Sequence, residues 1–376
     1  MRGIFKYILG IISFFILCFF LSFGIDFLML RDYNQTPLNI KTFDRSDSPY
    51  HPSVLYFEEG WNGYKYWMVE TPYNPYAKPY RDRYECPCIH VSNDGENWTV
   101  CDKSSFPLDD LSEEEIKDLD YFSDPCLVFV NNTLECWYRI TRRDGLVENH
   151  SKNISLCRKV TKDGFNWTER EYLINFSLDN ENQLEKEDMM LSPSVLYKNG
   201  EYILYYVFSE GNERNVCFMK SRDVKNWSNI RFCSLLNFDN ECVEVNPWHI
   251  SVCDIKDSLY LICYELGKDI SLFVSDDGDK FFYKKQLLTP SKKHGSFYFN
   301  GLYQACLVKD DKYKLYFSAD NVFHTFLGLM EGDDVMSMEV VSCGDDVKFS
   351  SFWEMIKSKY FFEKRRIIFI LKNALR

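Results

Sequence analysis

Across residues 49–340 the sequence lacks three things: sustained helical periodicity, a cluster of Lys and Arg, and a Cys-x-x-Cys pair matched by histidines. The first absence excludes a helical bundle over that span. The second, with a net charge of −12, excludes a phosphate-binding surface and therefore a nucleic-acid partner. The third leaves the cysteines without a zinc framework, because Cys86-Pro-Cys88 is too short and lacks partners. No cofactor or metal is read from the residues. What the chain has in excess is aromatic side chain, 17% of 376 residues, which favours strands and fills a large core.

Four small acidic turns closed by an aromatic recur: Ser92-Asn-Asp94-Gly95-Glu-Asn-Trp98, Thr161-Lys-Asp163-Gly164-Phe-Asn-Trp167, Ser221-Arg-Asp223-Val-Lys-Asn-Trp227 and Ser275-Asp-Asp277-Gly278-Asp-Lys-Phe281. Asp-Gly suits a hairpin turn because glycine tolerates positive φ, and the ring after it folds back over the same hairpin. The copies lie roughly 54 to 69 residues apart, the length of a four-stranded propeller blade with long loops. Five alternating strands open the units, at Pro52–Phe57, Pro125–Val130, Pro193–Tyr197, Trp248–Cys253 and Tyr303–Val308, and each is followed by an aromatic strand. The fold expected is all-β, a five-bladed propeller over 49–340.

The ends are different material. From Tyr7 to Ile25 there is no charged residue but Arg2 and Lys6 precede the run. About 19 residues, roughly 28 Å as a helix, suffice to cross a bilayer core. Residues 1–30 are thus expected to be a transmembrane signal-anchor with its N-terminus cytoplasmic and the propeller exported, a cleaved signal peptide being the alternative. Residues 31–48 read as a polar stalk. Residues 341–376 read as a basic amphipathic helical tail that suits either an anionic membrane surface or the propeller's flank. Among fourteen cysteines, Cys88 with Cys101, Cys126 with Cys136, Cys217 with Cys233 and Cys253 with Cys263 are candidate cross-links in an oxidising compartment, or else buried thiols. Asparagine sequons stand at Asn34, Asn97, Asn131, Asn149, Asn153, Asn166, Asn175 and Asn226, three of them inside the turn motif.

The Ser-x-Asp-Gly-x-x-Trp hairpins, with Ser123-Asp124-Pro125 and Leu191-Ser192-Pro193 opening blades, resemble the five-bladed propellers of the family 43 and family 32 glycosidases and their relatives in bacterial polysaccharide loci. The likeness runs from about Pro49 to Asp334. It implies that the innermost strands begin beside a central pocket where those enzymes place carboxylates. The corresponding starts here carry His51, Asp124, Ser192, Asn246 and Tyr303, so only Asp124 keeps the carboxylate. Glycoside hydrolysis needs two carboxyl groups. Glu85 is the first choice for the second, with Glu187, Asp188 and Glu244 in reserve, and His51 as an orienting or charge-tuning group. Trp248, His249, Tyr303, Tyr73 and Asn246 are candidate substrate-binding residues. Trp61 and Trp67 are further rings able to stack on sugar faces.

Two functions follow as expectations. One is a membrane-anchored, glycosidase-like propeller acting on a surface or extracellular glycan by carboxylate acid/base chemistry through Asp124 and Glu85. The other is a non-catalytic glycan-binding propeller in polysaccharide assembly or export, which the missing carboxylates favour, since function belongs to the site and not to the fold.

Overall fold

The computed structural model describes residues 7, 10–18, 20–21, 35–73, 85–143, 151–177, 190–210, 213–265, 269–291, 296–321 and 324–344. Five antiparallel meanders follow one another along the chain. They are β1 (Pro49–Trp61) to β4 (Thr99–Val100), β5 (Tyr121–Val130) to β8 (Glu171–Ser177), β9 (Leu191–Lys198) to β12 (Arg231–Phe232), β14 (Pro247–Ile255) to β17 (Lys280–Leu288), and β18 (Gly301–Lys309) to β21 (Glu339–Val341). A short strand, β13 (Ser234–Leu236), leaves the third blade and pairs in parallel with β17 on the outside of the fourth. The first strands β1, β5, β9, β14 and β18 contact one another in a closed ring around the axis. The expected five-bladed propeller is the fold.

Each turn motif organises its hairpin in the same way. Ser92 Oγ accepts the Gly95 amide at 2.9 Å, Asp94 Oδ1 accepts the amides of Glu96 and Asn97 at 2.9 and 2.8 Å, and Trp98 Nε1 donates to the Gly95 carbonyl at 3.0 Å. The indole bond recurs at Trp167 and Trp227, at 3.2 and 2.9 Å. Phe281, with no indole nitrogen, fills the fourth copy. The positions are equivalent, although Trp98 is buried and Trp167 and Trp227 are only half-buried. In Asn97, Asn166 and Asn226 the Nδ2 that a glycan would occupy donates to the turn aspartate at 2.8, 2.6 and 2.7 Å. The turn itself therefore accounts for those three sequons. Asn34 and Asn149 lie outside the described residues.

Every turn also docks on the second strand of the preceding blade. Tyr316 donates its hydroxyl to the Gly95 carbonyl at 2.8 Å and Tyr205 to that of Gly278 at 2.9 Å. Trp67 packs where a Cβ on Gly164 would lie, and Trp137 meets Trp227 edge-on with centroids 6.3 Å apart. Apolar side chains then fill five clusters, one at each blade interface. Trp61 and Trp67 belong to the one between the first two blades, so they are core rings and not sugar platforms.

The structure bears on three further expectations. Residues 35–48 are not a free stalk: Leu38 and Ile40 are buried between the fifth and first blades, the Leu38 amide donates to the Leu327 carbonyl at 2.8 Å, and Thr36 Oγ1 donates to the Gly344 carbonyl at 2.8 Å. Their apolar side chains serve the last interface. The described cysteines are thiols. Cys126 and Cys136, Cys217 and Cys233, and Cys253 and Cys263 fall in different apolar clusters because each pair straddles its sheet, and Cys88 faces Glu70 whereas Cys101 packs beside Ile89 on the other face. Residues 10–18 are helical and exposed, but among the described residues no helix is long and apolar enough to cross a membrane. Residues 22–34 and the tail beyond 344 lie outside the described residues.

The turn-to-blade docking is testable at Gly164, whose φ is +77° and where a Cβ would fall 2.1 Å from the Trp67 ring. Gly164→Ala should cost about 2–4 kcal/mol in urea unfolding, combining left-handed strain with overpacking. Gly63→Ala, at φ +92° with open space around it, should cost only about 1 kcal/mol. Equal losses would show that docking adds nothing at Gly164.

Candidate functional site

Near its start each inner strand carries a bulge. Pairing with the second strand skips between Tyr50 and Ser53, Ser123 and Cys126, Leu191 and Ser194, Pro247 and His249, and Leu302 and Ala305. A bulge bends the strand and re-aims a side chain. In three blades the re-aimed residue precedes a proline and takes left-handed backbone: His51 at φ 50°, Asp124 at 51° and Ser192 at 49°. A residue before proline ordinarily stays extended. The same local strain therefore repeats around the axis, at positions where function is the usual reason to tolerate it.

The result is a buried cluster drawn from three blades. His51 Nε2 lies 3.8 Å and His249 Nδ1 3.6 Å from Asp124 Oδ1, and the imidazole centroids are 5.5 Å apart. The ligand atoms of these three residues all lie within 4.8 Å of one another. His51 Nδ1 is 2.8 Å from Thr71 Oγ1, which leaves Nε2 as the nitrogen facing Asp124. Among the described residues, neither ring nitrogen of His249 has a hydrogen-bond partner. The other carboxylate oxygen, Oδ2, faces Arg139 Nε and the Ser192 amide, both at 3.3 Å, while Arg139 is held by Ser123 Oγ and the Met190 carbonyl, each at 2.8 Å.

Burial and charge set the protonation states. Burial lowers His51 to about 4, Arg139 adding to the effect against the opposing pull of Asp124. Burial likewise lowers His249 to about 3, with His51 and Arg139 acting in the same direction. Burial alone would raise Asp124, yet Arg139 first, then the two histidines and the Ser192 amide, hold it below the usual carboxylate value. At neutral pH the cluster is thus one carboxylate and two neutral imidazoles, and the His–Asp contacts are not ion pairs.

Aromatic side chains wall the cluster. The Tyr303 ring lies 4.2 Å from His249 and 5.4 Å from His51, and its oxygen accepts Trp248 Nε1 at 2.7 Å. Tyr50 stacks on Tyr73 at 5.1 Å and on Tyr303 at 4.9 Å. Burial raises Tyr303 far above the normal phenol value, so its proton stays available for donation. Behind the cluster the axis opens into a cavity of about 700 Å³ lined by all five inner strands, from Ser53 down to Asp311.

The structure therefore gathers His51, Asp124, His249, Trp248, Tyr303 and Tyr73. Glu85 is buried, and its charge is among those that raise Tyr303. Asn246 is exposed ahead of β14 and joins the cluster through no described contact, because the bulge that turns a residue inward falls at Trp248 instead. Glu244 is exposed, and Glu187 and Asp188 lie outside the described residues. Sequence reasoning missed Arg139 and Thr71. Arg139 stands opposite Ser123 in a strand that also carries Glu135, Arg142 and Arg143, so no sequence signal singled it out.

No protein-family model matches the chain. A segment of 63 residues, 17% of the chain, is 40% identical to an A type blood N-acetyl-α-D-galactosamine deacetylase of Flavonifractor plautii, and the match spans only 8% of that protein. Among solved structures, an N-acetylgalactosamine deacetylase from F. plautii with a blood group B trisaccharide aligns over 86% of this chain and 97% of its own, at 19% identity and a TM-score of 0.60. The GH43_1 enzyme from Xanthomonas citri complexed with xylotriose aligns over 85% and 98%, at 12% identity and 0.54. The RS223 β-xylosidase aligns over 78% and 96%, at 13% and 0.53. These likenesses place the fold among glycosidase-like propellers.

The buried neutral histidines have a measurable consequence. Below pH 6.5 the unfolded chain takes up protons that the folded chain refuses until about pH 4 at His51 and about pH 3 at His249. Stability present above pH 6.5 should therefore fall with pH, by about 1.4 kcal/mol per unit per histidine. Urea titrations of chelator-treated protein between pH 7 and 5 should show this slope, and His249→Phe should remove roughly half of it. An unchanged slope in the variant would mean that His249 titrates normally in the folded state.

Proposed function

We propose that this chain is a carbohydrate-directed hydrolase that removes an acyl group from an N-acylated sugar at a divalent metal centre formed by His51, Asp124 and His249. The observation that carries the reading is His249, buried with both ring nitrogens unpartnered among the described residues, at a point where His51 Nε2 and Asp124 Oδ1 also converge. Buried polar atoms without partners call for an ion or water, and two imidazoles with one carboxylate are a donor set seen in catalytic zinc sites. A divalent ion held there would polarise an acyl carbonyl and acidify a water.

The chain's own residues do the rest. Thr71 fixes the His51 tautomer, so that its free nitrogen points into the centre. Tyr303, protonated and already accepting from Trp248, offers its O–H to a developing oxyanion. Tyr73 and Trp248, both half-buried, supply ring faces for a sugar. Glu85, whose charge acts on Tyr303, is the carboxylate assigned here to move a proton. Asp124 does not suit the proton-donor role of a glycosidase, because Arg139 and the Ser192 amide keep it ionised. The deacetylase likeness supports an acyl target on a hexosamine.

The test is acetate release from N-acetylgalactosamine-terminated oligosaccharides. Turnover should vanish with a chelator and return with Zn²⁺ or Mn²⁺, and Asp124→Asn should lower it at least about a hundredfold while folding persists. Chelator-insensitive cleavage of aryl glycosides would instead establish the Asp124/Glu85 two-carboxylate mechanism. Glycan binding with no turnover of either kind would make the propeller a binding module.

The uncharged run from Tyr7 to Ile25, flanked by Arg2 and Lys6, supports membrane attachment with the propeller exported. Cell fractionation should find the full-length chain with the membranes. A soluble product trimmed near Gly24 would show a cleaved leader instead.

A further inference from the structure

The carboxylate of Asp124 is divided between two tasks. Oδ1 faces His51 and His249 at 3.8 and 3.6 Å, whereas Oδ2 faces the Arg139 guanidinium and the Ser192 amide at 3.3 Å each. Arg139 cannot easily swing away: Ser123 Oγ holds Nε, the Met190 carbonyl holds one terminal nitrogen, and the whole side chain is buried between the second and third blades. A buried carboxylate left alone would be costly, and here the guanidinium neutralises it in the absence of any ion.

We propose that Arg139 is a fixed resident cation that restricts Asp124 to one ligating oxygen and weakens the centre's hold on its ion, so that the metal is loaded reversibly onto an already assembled site. The inference rests on the metal-centre reading above. Two physical effects act together. An immobile positive charge on the far side of Asp124 repels a divalent ion in a buried region where screening is poor. The same charge and the Ser192 amide occupy Oδ2, so bidentate ligation by Asp124 would require breaking both contacts. Arg139 is therefore a positioning residue, acting through Asp124 and not on substrate. A centre of this kind keeps its shape when empty, because its carboxylate has a counter-charge in either state.

A purely structural Arg139 gives the opposite expectation, namely that its loss lets Asp124 wander and weakens metal binding. Calorimetric titration of chelator-treated protein with Zn²⁺ and Mn²⁺ separates the two. Arg139→Gln should bind each ion at least about tenfold more tightly than the unaltered chain, and Arg139→Lys, which keeps the charge, should stay within about threefold. Ser123→Ala provides a milder variant should Arg139→Gln fail to fold: it removes one anchor of the guanidinium and should tighten binding by a factor of about two to five. Weaker or unchanged affinity in Arg139→Gln, or in Ser123→Ala where the former does not fold, overturns the proposal. Binding of neither ion to the unaltered chain or to any variant would instead overturn the metal-centre reading itself. In the same preparations the metal-free Arg139→Gln protein should unfold at lower urea than the unaltered chain, and saturating Zn²⁺ should raise its midpoint more, since the ion then supplies the missing positive charge. Equal zinc-induced shifts in the two proteins would also count against the idea.

Discussion

The arrangement at the axis depends on how five inner strands satisfy the backbone edge that each turns toward its neighbour. Such an edge has no sheet partner, and an unpaired buried amide is expensive. One small side chain per blade, two or three residues past the bulge, links to the next blade, and in four of the five it bonds that neighbour's backbone. Ser53 Oγ accepts the Leu127 amide at 3.0 Å, Ser194 Oγ accepts the Val252 amide at 2.9 Å, and Cys306 Sγ accepts the Val54 amide at 3.3 Å. Cys126 bonds the Val195 backbone, and Ser251 bonds Cys306. The links run once around the ring, first blade to second and on to the fifth and back. Register between blades is thereby set to within a hydrogen-bond length, and His51, Asp124 and His249, one layer above, inherit that accuracy.

Above the lacing, chemistry comes from departures from regular strand. A strand that simply alternated would point one residue inward and the next outward. The bulges break that alternation at one height in all five blades, and left-handed backbone at His51, Asp124 and Ser192 completes the turn inward. Ser192, with no functional head group, spends its hydroxyl on the amide and carbonyl of Ile250 at 2.9 Å. Equivalent positions thus carry a ligand-type side chain in one blade and a purely architectural one in the next.

Much of the fold was legible because its signals are local. The Ser-x-Asp-Gly turn writes its own hydrogen bonds within seven residues, so four copies announced four hairpins before any long-range contact was known. His51, Asp124 and Tyr303 were legible for a related reason, since each opens an inner strand. Asn246 was mistaken for such a start because the chain between β13 and β14 makes an excursion, and the bulge falls at Trp248. A centre of two imidazoles and a carboxylate had no local trace: its members lie 73 and 125 residues apart, and only the closed ring makes them neighbours. Arg139 was hidden by its strand, where it is one of four charged residues and only the register sets it opposite Ser123. The polar look of residues 31–48 concealed Leu38 and Ile40 in the same way, two side chains sufficient to commit the segment to the core.

That last segment changes where the domain begins. The first strand starts at Pro49, but residues 36–38 lie between β20 (Thr325–Gly332) and the chain near Gly344, with the Cys343 amide donating to the Thr36 carbonyl at 3.3 Å. The ring is shut by two stretches more than 300 residues apart in the chain, one before the first blade and one after the last. An expression boundary drawn at the first strand would cut away half of this clasp, leaving the fifth and first blades to hold by their inner strands, the Tyr316–Gly95 bond and what remains of their shared apolar cluster. A propeller boundary accordingly has to include residues 36–40 and the chain through Gly344, loops that a boundary drawn by strand count would discard.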